Sequence, residues 1–355
     1  SQSRKEREKT RARIASVWLD NLHDPQRALA AAKPLLSEAD DDKESTALLE
    51  RILQSPQATK AVRDATLDLL RSHYDAAQRP REVIRVLERV IALDPEGSGP
   101  LREEAGGRLA DLDDLAPAMD HYAALLAMAP ESSATEEKLR QLADRGGLHD
   151  RYADGAAAAA RAEPDRVDPT RRVELLSEAA RTRLDRLNDI ESAIKLLVEA
   201  AAISGASESS QFGVARKLGA LYEKTNRPKE RLGVLERQAH LEANDAARSA
   251  ILSEAAKLAE TLGDTDRALS LWERRIDSDP NDLSGLDARI GILESQLRWD
   301  DLVASLEIRA NKVTAPNQKR ADLVRVALVH HLQREDLGAA INAWQRVVAD
   351  HKDDE

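Results

Sequence analysis

The chain has no cysteine, which excludes disulfides, thiolate metal sites and thiol catalysis whatever the compartment. Aromatic residues are almost as scarce: four Trp, four Tyr and one Phe among 355 residues, with alanine and leucine filling the apolar class instead. Lacking β-branched runs as well, the composition is that of packed helices and argues against a large β-sandwich or barrel and a conventional parallel-sheet enzyme. No window approaches the length of a membrane-spanning apolar helix, so membrane insertion is not expected. Positive charge is in deficit, with 53 Lys and Arg against 64 Asp and Glu and a formal net charge of −11. Nucleic-acid affinity rests on clustered basic residues that displace counterions, so the expected partner is a basic or neutral protein or peptide and not a nucleic acid. High charge with abundant Ala and Arg fits a bacterial cytoplasmic protein, and a start at Ser1 rather than Met reads as a trimmed N-terminus.

Catalytic constellations are missing too. No phosphate-cradling loop is present, because Gly97-Ser98-Gly99 runs into Pro100 and reads as a turn. There is no nucleophile elbow, and no metalloprotease-like spacing of His and acid. His330 and His331 are adjacent, so on a helix they point about 100° apart and cannot chelate one metal; one half-buried and one solvated imidazole is the expectation. No carboxylate sits in an apolar setting that would raise its pKa. No catalytic, cofactor-binding or metal residue is therefore assigned, and the chain is not expected to be an enzyme.

What is present is repetition. An acidic residue, a small residue with an aliphatic neighbour, and a bulky residue one turn on recur as Asp24-Ala28-Leu29-Ala32, Asp114-Ala118-Met119-Tyr122, Asp189-Ala193-Ile194-Leu197, Asp264-Ala268-Leu269-Trp272 and Asp336-Ala340-Ile341-Trp344. A second signature interleaves with it: Arg79-Pro80 leads to Val86-Leu87-Glu88-Arg89, Arg227-Pro228 to Val234-Leu235-Glu236-Arg237, and Arg298-Trp299 to Ser305-Leu306-Glu307. Each opens the second helix of a helical hairpin, and apolar residues at three- and four-residue spacing before it, such as Leu67, Leu70 and Tyr74, mark a first helix. The wide gap between Ala28 and Val83 has room for an extra helix over 43–54, ended by Ser55-Pro56. Asp94-Pro95, Asp279-Pro280-Asn281-Asp282 and Gly97 to Pro100 read as turns, with Pro100 suited to a first helical turn. The alanine run 156–160 lets two helices approach closely.

At this spacing the chain resembles the tetratricopeptide repeat family along nearly its whole length. Leu252, Ala256 and Ala259, then Ala268, Trp272 and Pro280, stand at the family's first-helix and second-helix positions; Gly106, Ala118, Tyr122 and Pro130 match in another unit, as do Leu218, Gly219 and Tyr222 in a third. The first, fifth and final pairs lack the closing proline. A two-helix unit cannot bury its apolar face alone, so the expected fold is all-α, a right-handed α-solenoid of about nine antiparallel helix pairs. Its organisation reads as repeats over 1–162, a loop or superhelix break over 163–169, and repeats over 170–355.

The resemblance implies that ligand-facing side chains come from the first helix of each hairpin and line a concave face. That places Asp144, Asp185, Asp287 and Asp322 there with Arg140, Arg186 and Arg325, and gives Asp68, Asp75, Glu103, Glu178, Glu260 and Glu294 as acidic partner-binding positions. Acidic residues outnumber basic ones on that face, which would steer basic peptide segments into the groove. A clamp for a C-terminal carboxylate is not visible. Trp18 near the N-terminal end is a further contact candidate, whereas Trp272 and Trp344 share one repeat position and read as core filler. Trp299 reads as partly exposed. The function implied is a non-catalytic scaffold binding a protein or peptide, within a larger chain or complex. The alternative is a regulatory or assembly segment of an enzyme whose catalytic domain lies elsewhere. The charged segment 1–13 could cap one end, while the helix carrying Ile341, Trp344 and Val348 stops without a cap, which suggests truncation or burial against something else.

Overall fold

The computed structural model describes residues 2–38, 43–163, 165–279 and 282–350, and among them there are only helices and turns. Two compact units emerge, Ser1–Ala206 and Ser207–Glu355. The first contains α1 (Gln2–Asp20), α2 (Pro25–Ala32), α3 (Leu35–Glu38), α4 (Lys43–Gln54), α5 (Lys60–Ala76), α6 (Pro80–Leu93), α7 (Gly99–Asp111), α8 (Leu115–Met128), α9 (Ser133–Gly146), α10 (His149–Arg161), α11 (Pro169–Asp185) and α12 (Ile190–Ala202). The second contains α13 (Glu208–Lys224), α14 (Pro228–Leu241), α15 (Asp245–Thr261), α16 (Thr265–Ser278), α17 (Leu283–Ser295), α18 (Trp299–Lys312), α19 (Pro316–Leu328) and α20 (Leu337–Asp350). Within each unit, consecutive first and second helices pack as hairpins, and each hairpin lies against the next. The extra helix expected over 43–54 is α4, which buries Leu48, Leu49, Ile52 and Leu53 in the core of the first unit.

One turn recurs between the first and second helices of the hairpins. The residue before each second-helix cap takes a left-handed φ between 51° and 75°: His23, Gln78, Asp113, Gly147, Asn188, Asn226, Gly263, Leu297 and Glu335. The N–H of the following residue then donates five or six residues back, as from Arg79 to the Tyr74 carbonyl and from Asp264 to the Ala259 carbonyl, at 2.8–3.0 Å throughout. This satisfies carbonyls that a helix C-terminus otherwise leaves open. It also explains the acidic signature. The carboxylates of Asp24, Asp189, Asp264 and Asp336 accept the backbone N–H three residues on, capping the second helix; Asp114 makes no such bond.

Leucine is poorly suited to that turn. A left-handed non-glycine residue costs about 1–2 kcal/mol, and the Leu297 side chain is exposed, recovering little. Leu297→Gly is therefore expected to raise stability by about 0.5–1 kcal/mol, read as a higher urea midpoint; a lower midpoint would assign the Leu297 side chain a packing role that its exposure does not suggest.

The alanine run does bring helices together. Ala156, Ala157, Ala159 and Ala160 are buried on α10, and a Cβ added to Gly155 would stand 3.0 Å from the Ala123 Cβ on α8. The loop over 163–169 lies inside the first unit, where it joins α10 to α11, and Arg172 Nε donates to the Ala160 carbonyl at 2.8 Å across the junction. Pro100 occupies the first turn of α7. Of the expected turn residues, Pro164, Pro280 and Asn281 lie outside the described residues, as do Ser1 and the terminal segment 351–355.

Candidate protein-interaction surface

The carboxylates that the sequence points to are engaged within the chain. Asp68 pairs with Arg71 at 2.5 Å and Glu178 with Arg181 at 2.8 Å, each one turn away on its own helix. Asp75 accepts two bonds from Arg108 of α7, at 2.6 and 2.9 Å, and these hold its carboxyl below the usual carboxylate range. Glu103 receives Lys138 of α9 at 3.2 Å and Glu294 receives Arg325 of α19 at 2.8 Å, so three of these pairs link the first helices of successive hairpins. Glu260 accepts the indole N–H of Trp272 at 2.7 Å. Trp18 lies under the Arg27 guanidinium, 4.7 Å from its ring centre, beside exposed Ile14, Val17 and Leu22. Pairs this exposed contribute roughly 0–1 kcal/mol each, but they neutralise much of the charge that the bare sequence assigns to this face.

Second helices carry a matching ladder. Arg151 of α10 pairs with Asp120 of α8, Arg161 of α10 with Glu199 of α12, Arg267 of α16 with Glu236 of α14, Arg298 with Asp266 of α16, and Arg346 of α20 with Glu307 of α18, at 2.5–2.8 Å. Arginine reaches a carboxylate bidentately, which suits this use, and the chain holds 39 arginines against 14 lysines.

Between α9 and α11 the first-helix ladder is closed at one end, where Arg171 of α11 meets Glu136 of α9 at 2.5 Å, and loose at the other. There a recess of about 310 Å³ is lined by Arg140, Ala143 and Asp144 of α9, His149 and Tyr152 of α10, and Arg181, Thr182, Asp185 and Arg186 at the end of α11. Tyr152 is buried, and its hydroxyl donates to Glu136 at 3.2 Å; burial pushes the phenol pKa up, so it remains a protonated donor at any ordinary pH. Arg186 and Asp144 stand 3.6 Å apart and His149 Nδ1 lies 3.9 Å from Asp144, both beyond hydrogen-bonding distance. The structure thus brings together Arg140, Asp144, Asp185 and Arg186, four of the residues placed on one face by the sequence. His149, Tyr152, Arg181 and Thr182 were not foreseen; for His149 and Tyr152 the signal is Gly147, whose left-handed turn starts α10.

The packing inside the hairpins has a period of its own. Ala28, Ala118, Ala193 and Ala268 are fully buried at the same second-helix position. In the α7–α8 hairpin a small first-helix residue makes room for a second-helix aromatic: a Cβ on Gly106 would stand 3.0 Å from Tyr122 Cε2. The chain folds as a tetratricopeptide-like helical repeat. No family model matches the sequence, and no curated protein matches it either. Among solved structures, the repeat is similar to MamA (17% identity over 50% of this chain and 94% of that one, TM-score 0.26). It is also similar to a Podosopora anserina putative kinesin light chain with nearly identical TPR-like repeats (20% identity, 51% and 95%, TM-score 0.27). A third is YrrB, described as a TPR protein with an unusual peptide-binding site (15% identity, 57% and 97%, TM-score 0.27).

Three readings within this tetratricopeptide-like repeat need correction. Trp272 and Trp344 share a repeat position but not an environment: Trp272 is 2% exposed and Trp344 is 40% exposed. Their neighbours diverge likewise, Leu269 at 7% against Ile341 at 57% and Ile276 at 8% against Val348 at 67%, because α17 covers this face of α16 and no described helix covers it on α20. Asp322, placed on the ligand face by the resemblance, is fully buried and held by Arg309. His330 and His331 sit in a π-helical turn, Val329–Gln333, rather than an α-helix; His330 is buried with its Nδ1 accepting from Arg334 at 3.2 Å, and His331 is exposed. Trp299 opens α18 and is partly buried against the core of the second unit.

Proposed function

We propose that this chain is a non-catalytic scaffold that holds a protein or peptide partner against the first helices of its hairpins. The observation carrying this reading is the recess between α9 and α11: a concave, polar site floored by a buried tyrosine, on a face where charged side chains such as Asp75 and Arg108, and Glu103 and Lys138, are braced against one another. First helices tied to one another by ion pairs present such a site at little ordering cost, which is what makes a preformed groove useful for binding. The peptide-binding site that names YrrB agrees with this reading.

Photo-crosslinking tests it. With p-benzoylphenylalanine at Thr182, in the recess, the chain should capture a discrete partner in its native source. The same amino acid at Lys195, on second helix α12, should capture none. Equal capture from both positions, or from neither, would count against a first-helix binding face.

A further inference from the structure

We infer that the recess between α9 and α11 seats a basic side chain, lysine or arginine, from an extended peptide, between Asp144 and Asp185. This deepens the peptide-scaffold reading and rests on it. The charges around the recess decide its sign. Arg140 is neutralised by Glu137 one turn before it on α9, where Gln141 and Arg140 together hold the Glu137 carboxyl below its usual range. Arg181 is neutralised in the same way by Glu178 on α11. What is left without a hydrogen-bonded partner in the lining, among the described residues, is Arg186, Asp144, Asp185 and the imidazole of His149.

Among the described residues Asp185 has no ion-pair or hydrogen-bond partner for its side chain, alone among the carboxylates of the recess. Asp144 is only loosely approached, by Arg186 at 3.6 Å and by His149 at 3.9 Å. Elsewhere in the same unit, arginines that link neighbouring hairpins close onto their carboxylates at bonding distance: Arg71 on Glu104 at 2.8 Å, Arg108 on Asp75 at 2.6 Å and Arg145 on Asp113 at 2.6 Å. The rung at Asp144 is therefore open where the others are shut, and the opening is a cavity rather than a flat surface. Two carboxylates with unfilled acceptor capacity against one loosely held guanidinium favour a cation as occupant. An incoming guanidinium or ammonium would donate to Asp144 and Asp185 together and leave Arg186 free to swing to solvent. The net charge of −11 draws the same class of peptide from a distance.

Fluorescence anisotropy on the full chain, with fluorescein-labelled Gly-Arg-Gly-Arg-Gly and the same peptide carrying citrulline or glutamate in place of arginine, provides the test. The arginine peptide should bind about tenfold or more tightly than its neutral isostere. Asp144→Asn with Asp185→Asn should bring the two together, whereas Glu230→Gln with Asp277→Asn, an equal charge change on exposed sites of the second unit, should not. The inference is overturned if the glutamate peptide binds as well as the arginine peptide. Equal weakening by the two double variants also overturns it, because attraction then belongs to the general field. Absence of binding by the arginine peptide overturns it as well, while the scaffold reading stands or falls separately on the crosslinking from Thr182.

Discussion

Asp322→Ala should destabilise the second unit by about 3–5 kcal/mol, the cost of stranding one member of a buried ion pair. The carboxylate is fully buried at the meeting of α17, α18 and α19. Arg309 of α18 grips it bidentately, Nε to Oδ2 at 3.0 Å and Nη2 to Oδ1 at 2.6 Å, and Gln318 Nε2 adds a third bond at 3.2 Å. Arg309 also donates to Asp287 of α17, so a single guanidinium ties three helices. Removing the carboxylate leaves that guanidinium, 10% exposed, with only the surface carboxylate of Asp287. Replacing both partners, Arg309→Met with Asp322→Leu, removes the desolvated charges together and should restore most of the loss. Urea unfolding followed by tryptophan fluorescence reports both variants. A loss below about 1 kcal/mol for Asp322→Ala would show that the pair behaves as a solvated one.

The second large effect separates two tryptophans that the sequence makes equivalent. Trp272→Ala should cost about 3–5 kcal/mol. The ring lies in one core cluster with Leu252, Ala255, Ala256 and Ala259 of α15, against which Ala288 and Ile292 of α17 pack, its N–H is taken up by Glu260, and Arg275 lies 5.4 Å from its centre. Trp344→Ala, at the same repeat position, should cost about 1 kcal/mol or less, since much of that ring is already in water. Glu260→Gln keeps an acceptor for the indole and should be nearly neutral, whereas Glu260→Leu leaves a buried N–H unpaired and should cost about 1–3 kcal/mol. Denaturation midpoints distinguish all four. Similar losses from Trp272→Ala and Trp344→Ala would mean that the two environments are alike.

Much of the architecture was legible because it depends on local chemistry repeated at a fixed period. Asp24, Asp189, Asp264 and Asp336 recur because a second helix needs a cap, and Ala28, Ala118, Ala193 and Ala268 recur because two helices cross there without room for more. The left-handed turn was hidden, since Leu297, Gln78 and Glu335 are not residues that advertise a positive φ; tertiary packing of the hairpin imposes it on them. The proposed binding face was half legible. Resemblance placed Asp144, Asp185, Arg140 and Arg186 on one face, but the residue beneath them, Tyr152, comes from another helix.

From the sequence alone came the all-helical class, the two-helix period and the places where each second helix begins, because capping, turn chemistry and apolar spacing act within a few residues. Tertiary structure alone decided which charges are spent. Asp75 meets Arg108 and Asp322 meets Arg309 only once neighbouring hairpins bring their helices side by side, and the same packing leaves Asp185 without a partner among the described residues. Charge along a chain is fixed by composition, but whether a carboxylate braces the fold or awaits a ligand depends on what stands within about 4 Å of it.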